Sequence, residues 1–526
     1  MGIFPTKIHS NIYRAGLILL AVGLPLSVFL MSIAQFVLII NWLLEGQLKK
    51  KVKSFFSNVP AMVFSAIFFI HILGLLYTTD FSYAFKDLRI KIPLLLLPLI
   101  IATTRPLNSN QFNSLLNFFI AAVVVSSFVS VYMLYFKNFS DIREITPFIS
   151  HIRFSLMICL SICFLLSMLY NKNFKGVVSF FFIAATMVWL IYFLFLIESP
   201  TGLGILSFLL VFFALFIVFK TNNIYKRLGA ALFFLAILSA TFLYLRSAIL
   251  EYKHAEDFDF NNLPAYTAYG NPYYHDTTSL FAENGTLVWL FIADDELKDK
   301  WEQHSDYDYY GLDNKGQELR ATLIRYMASK GLKKDAQGFE KLTESDIRAV
   351  EQGIPTVKFF EIGTLKKRIH EILYEFDRYK KTGNPNALSI VMRYKFLKTA
   401  WHIITNNFWL GVGTGDVNIA FDNMYEALNT QLEPENRWRA HNQYVSFFVA
   451  FGILGFALFL TALIYPPVKL KSFNDYRFLA FFIIVALSML TEDTLETQAG
   501  VTFFAFFSVL FLFGHEKSNK RKSSQQ

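Results

Sequence analysis

A short polar stretch ahead of a long apolar run contains the residues best suited to chemistry. Arg437, Arg439 and His441 lie close together, directly before the apolar residues 445–460. This order puts one imidazole and two guanidinium groups at a membrane–water boundary. A neutral histidine there can accept a proton from a hydroxyl group, and guanidinium groups bind anions well. The alternative is a structural histidine that anchors the start of a helix.

A second arginine borders the apolar face of an upstream helix. Apolar residues recur at steps of four and three along the predicted helix 387–406, at Ile390, Tyr394, Leu397, Trp401 and Ile404. Arg393 lies beside this stripe, and such a helix can lie on a membrane surface. Arg393 would then lie at the height of the lipid phosphates. It either binds a phosphate group of a substrate or only extends to the lipid headgroups.

Other patterns favour neither a metal nor a nucleotide. Asp257-Phe258-Asp259 and Asp306-Tyr307-Asp308 match the Asp-x-Asp pattern of metal-dependent sugar transfer, but they occur in a segment rich in acidic residues. Gly411-Val412-Gly413-Thr414-Gly415 follows no strand, so it predicts a tight turn. We therefore expect no metal and no cofactor.

Composition identifies the elements that must position these residues as membrane helices. Of the 526 residues, 54% are hydrophobic and only 17% charged, and the mean hydropathy is +0.40. These values exclude a soluble globular enzyme and a disordered chain. The two cysteines are too few for a disulfide-stapled scaffold. The net charge of +9 is the sum of −5 in residues 246–440 and +14 in the rest of the chain. The positive part lies in loops beside anionic lipid and gives no reason to expect nucleic acid as a partner.

Twelve apolar segments are candidates for membrane helices. Their approximate bounds are 12–25, 27–44, 59–77, 88–103, 112–136, 153–170, 177–197, 203–220, 227–245, 442–465, 477–490 and 499–513. Lysine and arginine concentrate in alternate short loops, which favours twelve helices with both termini in the cytoplasm. The fold class predicted is all-α and polytopic.

The chain divides into four predicted parts: helices 1–9 in residues 1–245, a mostly helical outside domain in 246–441, helices 10–12 in 442–513, and a cytoplasmic tail in 514–526. In the outside domain, helices are predicted at 294–304 and 317–330. A capping box at Thr343 predicts a third helix.

Within the predicted spans, His71 is the one ionisable residue of the apolar cores. Ion-coupled transporters usually carry several such residues inside the bilayer. The helices therefore favour a scaffold with its chemistry at one surface over a transporter.

Two blocks of sequence resemble a known family. Arg439-Ala440-His441-Asn442-Gln443-Tyr444, followed by Phe451-Gly452-Ile453-Leu454-Gly455, is similar to the signature of the O-antigen ligase and O-antigen polymerase family. The upstream segment from Arg393 through Trp401 to residues 407–415 resembles the preceding part of that family. Residues 492–496 resemble the branch whose members have an enlarged outside loop.

The resemblance implies a metal-independent, inverting glycosyltransferase of the GT-C type in the bacterial inner membrane, with a periplasmic active site. Such enzymes take a glycan from undecaprenyl pyrophosphate and pass it to lipid A-core or to another glycan. The family histidine corresponds to His441, the expected general base, and a family arginine corresponds to Arg393, which is expected to bind the pyrophosphate.

One departure from the family pattern concerns a second phosphate-binding arginine. Many members carry a Ser-Arg-Thr-Gly-like motif where this chain reads Ser199-Pro200-Thr201-Gly202. Arg153 is our first candidate for its replacement, because it begins an apolar helix on the predicted outer side. The further candidates are Arg89, Lys91 and Arg439.

Several functions share these residues. O-antigen ligation to lipid A-core is our leading interpretation, with repeat-unit polymerisation and protein O-glycosylation as alternatives within the family. A lipid-linked glycan transporter and a non-enzymatic assembly protein are the alternatives outside it.

Overall fold

A computed structural model describes most of the chain. The described residues are 5–136, 145–172, 176–197, 199–220, 223–256, 259–279, 281–283, 285–314, 316–357, 369, 372–373, 375–376, 379–380, 383–386 and 388–516. They divide into two compact units: residues 1–212 with 385–526, and residues 213–384.

The helices of the N-terminal half are long and apolar. They are α1 (Thr6–Leu26), α2 (Val28–Leu44), α3 (Leu48–Ser57), α4 (Val59–Leu73), α5 (Phe81–Lys91), α6 (Pro93–Ile101), α7 (Ser109–Phe136), α8 (His151–Tyr170), α9 (Gly176–Leu196), α10 (Pro200–Lys220) and α11 (Ile224–Glu256). The first apolar run is divided at Ser27, whose hydroxyl caps α2, so two helices form there as predicted. The span predicted at 88–103 is instead divided at Ile92, because Pro93 lacks the N–H that would continue the helix.

After the polar segment, five helices complete the first unit. They are α16 (Ser389–Asn406), α17 (Val417–Ala427), α18 (Gln443–Lys469), α19 (Tyr476–Thr491) and α20 (Gln498–Leu512). Helix α20 is the centre of the packing, with almost every residue from Ala499 to Leu512 buried. Phenylalanines of α20 pack against rings from α7, α8 and α19.

The second unit contains shorter elements between residues 259 and 357. They are the hairpin strands β1 (Ala282–Glu283) and β2 (Thr286–Leu287), and α12 (Asp294–Glu302), α13 (Leu319–Ser329), α14 (Ala336–Phe339) and α15 (Glu344–Glu351). Helices α12, α13 and α15 lie where the sequence predicted them, and the Thr343–Asp346 capping box is present. The hairpin and the long turns were not predicted, because Gly, Pro, Asn and Tyr interrupt the apolar periodicity there.

Six described helices are long and apolar enough to cross a membrane: Val59–Tyr77, Ser109–Leu134, His151–Tyr170, Gly176–Leu196, Arg227–Leu250 and Gln443–Lys469. A bent pair, α2 with α3, gives a possible seventh, and three shorter apolar helices accompany them. The chain is an all-α polytopic membrane protein. The count of twelve spans and the four-part division stay predictions.

Helix α18 is broken at Gly452, where φ is 59° and ψ is −167°. The segment 408–413 lies against this break and forms backbone hydrogen bonds to it: Val412 N–H to Val449 O, Gly413 N–H to Ala450 O, and Phe408 O from Ile453 N–H. The predicted tight turn at residues 411–415 is thus a packing element.

Replacing Gly452 with alanine should destabilise the protein. An alanine Cβ would lie 2.4 Å from the carbonyl carbon of Trp409, and the backbone conformation favours glycine. We expect a loss of about 1–3 kcal/mol in the free energy of unfolding, measured by denaturant unfolding in mixed micelles. The control is Gly204→Ala, where a Cβ meets nothing within 4 Å. Equal stability of the two variants would contradict this account.

Candidate functional site

A buried carboxylate, Glu496, lies between α19 and α20 and binds three donors. The Nζ atom of Lys91 is 3.2 Å from Glu496 Oε2, and Arg439 Nη1 is 3.3 Å from the same oxygen. The side-chain amide of Gln443 donates to Oε1 at 3.2 Å. Burial disfavours the charged carboxylate, but Lys91 and Arg439 hold the pKa of Glu496 below its ordinary value. Glu496 is therefore ionised at neutral pH.

Lys91 extends this network into α5. Its side chain is fully buried and also donates to Asp87, four residues earlier on the same helix. The second Asp87 oxygen is 3.8 Å from His71 Nε2, and His71 Nδ1 is 2.8 Å from the Ile67 carbonyl oxygen. The histidine predicted as a lone intramembrane residue therefore belongs to a charged cluster.

His441 lies between two residues that both bind Glu496, namely Arg439 and Gln443. Its backbone has φ 48°, a left-handed conformation that is uncommon outside glycine. Its ring is half-buried beside Phe396 and Trp438, at centroid distances of 5.9 and 6.5 Å. The contacts of Arg439 and Gln443 with Glu496 thus hold the backbone before and after His441. The imidazole ring of His441 packs beside two aromatic rings.

The charges around His441 come from three segments. Burial lowers the pKa of His441, the positive charges of Arg393 and Arg439 lower it further, and Asp493 opposes them. Asp493 is itself buried, which raises its pKa, and it accepts a 2.6 Å hydrogen bond from the Ser446 hydroxyl. The net result is an imidazole that is neutral at pH 7.

Arg393 lies on the solvent-exposed side of the residues around His441. Its side chain is 46% exposed, and its guanidinium contacts Glu492 Oε1 and the Thr491 carbonyl oxygen, both at 3.5 Å. These contacts are at the long limit for hydrogen bonds. Arg393 therefore keeps most of its donor capacity for another acceptor.

Arg153 approaches the same acidic segment from the start of α8. It donates to the Ser150 hydroxyl at 2.9 Å and interacts electrostatically with Glu492 and Asp493. Its Nε is buried without a hydrogen-bond partner among the described residues, and the same holds for Nε of Arg439. Two buried guanidinium N–H groups thus remain unsatisfied close to these carboxylates.

The motif that departs from the family pattern lies next to Arg153. The Ser199 hydroxyl is 3.1 Å from that of Ser155, and Gly202 packs so closely on Ser155 that a Cβ there would lie 2.6 Å from it. Pro200 is therefore held against the first turns of α8, where Arg153 is located.

The structure brings together five of the six predicted site residues around the segment 492–496: Lys91, Arg153, Arg393, Arg439 and His441. It does not bring Arg89 there. Arg89 is exposed and lies two residues from both Asp87 and Lys91, on the opposite face of α5.

The sequence-based set did not contain the acidic and amide side chains of the cluster, which are Asp87, Gln443, Glu492, Asp493 and Glu496. The spacing of Asp87 and Lys91 by four residues is a detectable signal for an ion pair on one helix face. Three acids ahead of an apolar helix, at residues 492–496, are another such signal.

Among the described residues, no group of three or more His, Cys, Asp or Glu side chains is placed to hold a metal ion. Asp257 and Phe258 of the first Asp-x-Asp pattern lie outside the described residues. The Asp259 carboxylate accepts hydrogen bonds from Asn261 and Asn262 within a turn.

The fold and the cluster define a polytopic membrane protein with a charged site built from helix ends and loops. Residues 354–460 match the family described as O-antigen ligase. The matched region contains Arg393, Arg439, His441 and Gln443. No curated protein matches the chain.

Removing Glu496 should destabilise the protein strongly. Glu496→Ala leaves Lys91 and Arg439 buried without this shared counter-charge, which we expect to cost about 3–5 kcal/mol in the free energy of unfolding. Denaturant unfolding in mixed micelles measures the change. Glu426→Ala, at an exposed position on α17, is the control and should stay within about 0.5 kcal/mol of the wild type. Similar stability of both variants would rule out a structural role for the Glu496 network.

Proposed function

We propose that this protein transfers a glycan from undecaprenyl pyrophosphate to a sugar hydroxyl of lipid A-core, at the periplasmic face of the bacterial inner membrane. His441 is the general base, and the surrounding arginines bind the pyrophosphate. The observation that carries this proposal is the grouping of a neutral, half-buried imidazole with Arg393, Arg439 and Asp493. The family match supports glycan transfer in general.

The first requirement of the reaction is a base that is neutral at working pH. Burial and two nearby guanidinium groups keep His441 in that form. After it accepts a proton, the imidazolium has the buried Asp493 carboxylate as a nearby counter-charge. Asp493 therefore stabilises the product of the proton transfer without taking the proton itself.

The second requirement is positive charge that neutralises the pyrophosphate leaving group. Arg393 is half-exposed and only weakly bound to Glu492. Arg153 and Arg439 each have a buried Nε–H for which the described residues provide no acceptor. Guanidinium groups bind phosphate oxygens through paired hydrogen bonds and stay charged when buried. Arg153 lies beside Ser199 and Pro200. It takes the place of the arginine that the family motif has and that Pro200 replaces in this chain.

The proposed step is a single displacement. The acceptor hydroxyl oxygen attacks the anomeric carbon of the donor as His441 removes the hydroxyl proton. The bond between that carbon and the pyrophosphate oxygen breaks, and its electron pair leaves with undecaprenyl pyrophosphate, whose charge the arginines neutralise. Attack from the face opposite the leaving group inverts the anomeric configuration.

Replacing His441 with asparagine should abolish transfer without unfolding the protein. Asparagine tolerates the left-handed backbone of this position but cannot act as a base at neutral pH. We expect a loss of at least about 100-fold in rate, with accumulation of lipid-linked glycan. The measurement combines lipopolysaccharide gels with quantification of undecaprenyl-linked glycan at matched protein levels.

The control for this experiment is His402→Asn, in the middle of α16, which should retain transfer. Normal long-chain lipopolysaccharide together with normal glycosylation of envelope proteins in the His441→Asn strain would refute the general-base role. A product of core plus one repeat unit would identify a polymerase, and unchanged lipopolysaccharide with unglycosylated envelope protein would identify a protein glycosyltransferase.

The Arg393→Gln variant tests the electrostatic link to His441 through pH dependence. A neutral imidazole is the active form, so kcat/KM falls as pH drops through the pKa of His441, below the ordinary value of about 6.5. Removal of the Arg393 charge raises that pKa, so the acidic limb of the profile should move to higher pH. Lys398→Gln, on the same helix, should leave the limb in place. An unmoved limb in Arg393→Gln would contradict the link.

A further inference from the structure

A polar cavity of about 250 Å³ lies in the first unit, away from the His441 cluster. Four segments enclose it: the start of α1, the turn after α2, α3, and the residues after α6. Its lining is Thr6, His9, Glu45, Gln47, Lys50, Lys51, Ser54, Thr103, Thr104 and Arg105. Three lysine and arginine side chains face one glutamate in this lining, so the cavity has a positive balance.

The cavity and the His441 cluster lie at opposite ends of two helices. Helix α4 begins directly after α3 and ends near His71 of the buried cluster. Helix α6 begins two residues after Lys91 and ends just before Thr103. Because α4 with its following turn is long enough to cross a membrane, the cavity lies at the opposite membrane face from His441.

The walls of the cavity are fixed by buried polar contacts. Lys51 pairs with Glu45 at 2.7 Å and donates to the Trp42 carbonyl oxygen at 2.7 Å. The Trp42 indole N–H donates to the Thr103 hydroxyl at 2.8 Å, and His9 Nδ1 is 2.8 Å from the Asn41 side-chain oxygen. Lys51 and Glu45 thus neutralise each other.

The remaining cations are available to a ligand. Lys50 and Arg105 are exposed, and neither forms an ion pair within the part of the chain that the structure describes. The hydroxyl group of Ser54 lines the cavity with them. The hydroxyl groups of Thr103 and Thr104 donate to the carbonyl oxygens of Leu99 and Ile100. Two cations beside the Ser54 hydroxyl form a site for a phosphate group.

Helix α3 places this cavity at a membrane surface. The chain turns by 113° between α2 and α3, through Gly46 and Gln47, both with positive φ. Leu48, Val52 and Phe56 form an exposed apolar stripe along α3. Lys49 and Lys53 border this stripe, and Lys50 lies on the opposite side of the helix. This amphipathic pattern is typical of a helix that lies in the membrane interface.

We propose that the cavity binds the phosphate of an anionic lipid headgroup, in the leaflet opposite the His441 cluster. Its volume is below the ~300–1,000 Å³ typical of pockets for drug-sized ligands, which suits a headgroup. Basic pockets between helices bind anionic headgroups in this way. The apolar stripe on α3 lies beside the acyl chains of the same lipid.

Native mass spectrometry of the detergent-solubilised full chain tests this proposal. Phosphatidylglycerol and phosphatidylethanolamine are titrated separately. Inorganic phosphate is then added to the lipid-bound protein as a competitor. We expect saturable binding of phosphatidylglycerol, at least tenfold tighter than that of phosphatidylethanolamine. The variant Lys50→Gln with Arg105→Gln should lose this preference. The matched control is Lys49→Gln with Lys53→Gln, which also removes two positive charges but lies outside the cavity lining. It should keep the preference for phosphatidylglycerol.

Three outcomes would overturn the proposal: equal binding of the two lipids, equal losses in the two double variants, or competition by millimolar inorganic phosphate that displaces the lipid fully. The last result would identify a site for free phosphate. If the double variant does not fold, the single variant Arg105→Gln changes only one exposed side chain. Its preference for phosphatidylglycerol over phosphatidylethanolamine is then compared with that of the wild type.

Discussion

Ionised side chains buried within a membrane protein must be paired, and the pairing of Glu496 with Lys91 and Arg439 is the constraint on which the site depends. Each charge would be expensive to bury alone, and Glu496 provides one carboxylate that pairs with both cations and accepts from Gln443. The network joins α5, the loop before α18, and the loop between α19 and α20. These segments are distant in sequence, so the network fixes how the ends of four helices meet.

The position of His441 follows from this constraint. Arg439 and Gln443 both bind Glu496, and His441 lies midway between them with a left-handed backbone. With Arg439 and Gln443 bound to one carboxylate, the imidazole between them packs beside Phe396 and Trp438. Catalytic groups require such support from a rigid surrounding shell. The network thus provides the fixed geometry, while Arg393 stays half-exposed at the open side.

Local patterns made much of this architecture predictable. Apolar runs indicated the long apolar helices, and the capping box at Thr343 indicated α15. The polar stretch before α18 indicated His441 and Arg439, and the apolar stripe of α16 indicated Arg393. The Lys91–Glu496 pair could not be predicted, because 405 positions separate its members and only tertiary packing joins them. The break in α18 was missed for the same reason: Gly452 has a helical context, and its conformation depends on the packed segment 408–413.

The most direct test of the central claim, that His441 and Arg393 act on one reaction, is a double-mutant cycle on kcat/KM for glycan transfer. It uses the purified full chain with Arg393→Gln, His441→Asn and the combined variant. If Arg393 acts partly by keeping the imidazole neutral, its effect shrinks once the imidazole is gone. The combined loss should then be smaller than the product of the single losses, by a factor that grows as the pH falls toward the pKa of His441. Losses that simply multiply throughout this pH range would show that the two residues act independently and would contradict a shared site.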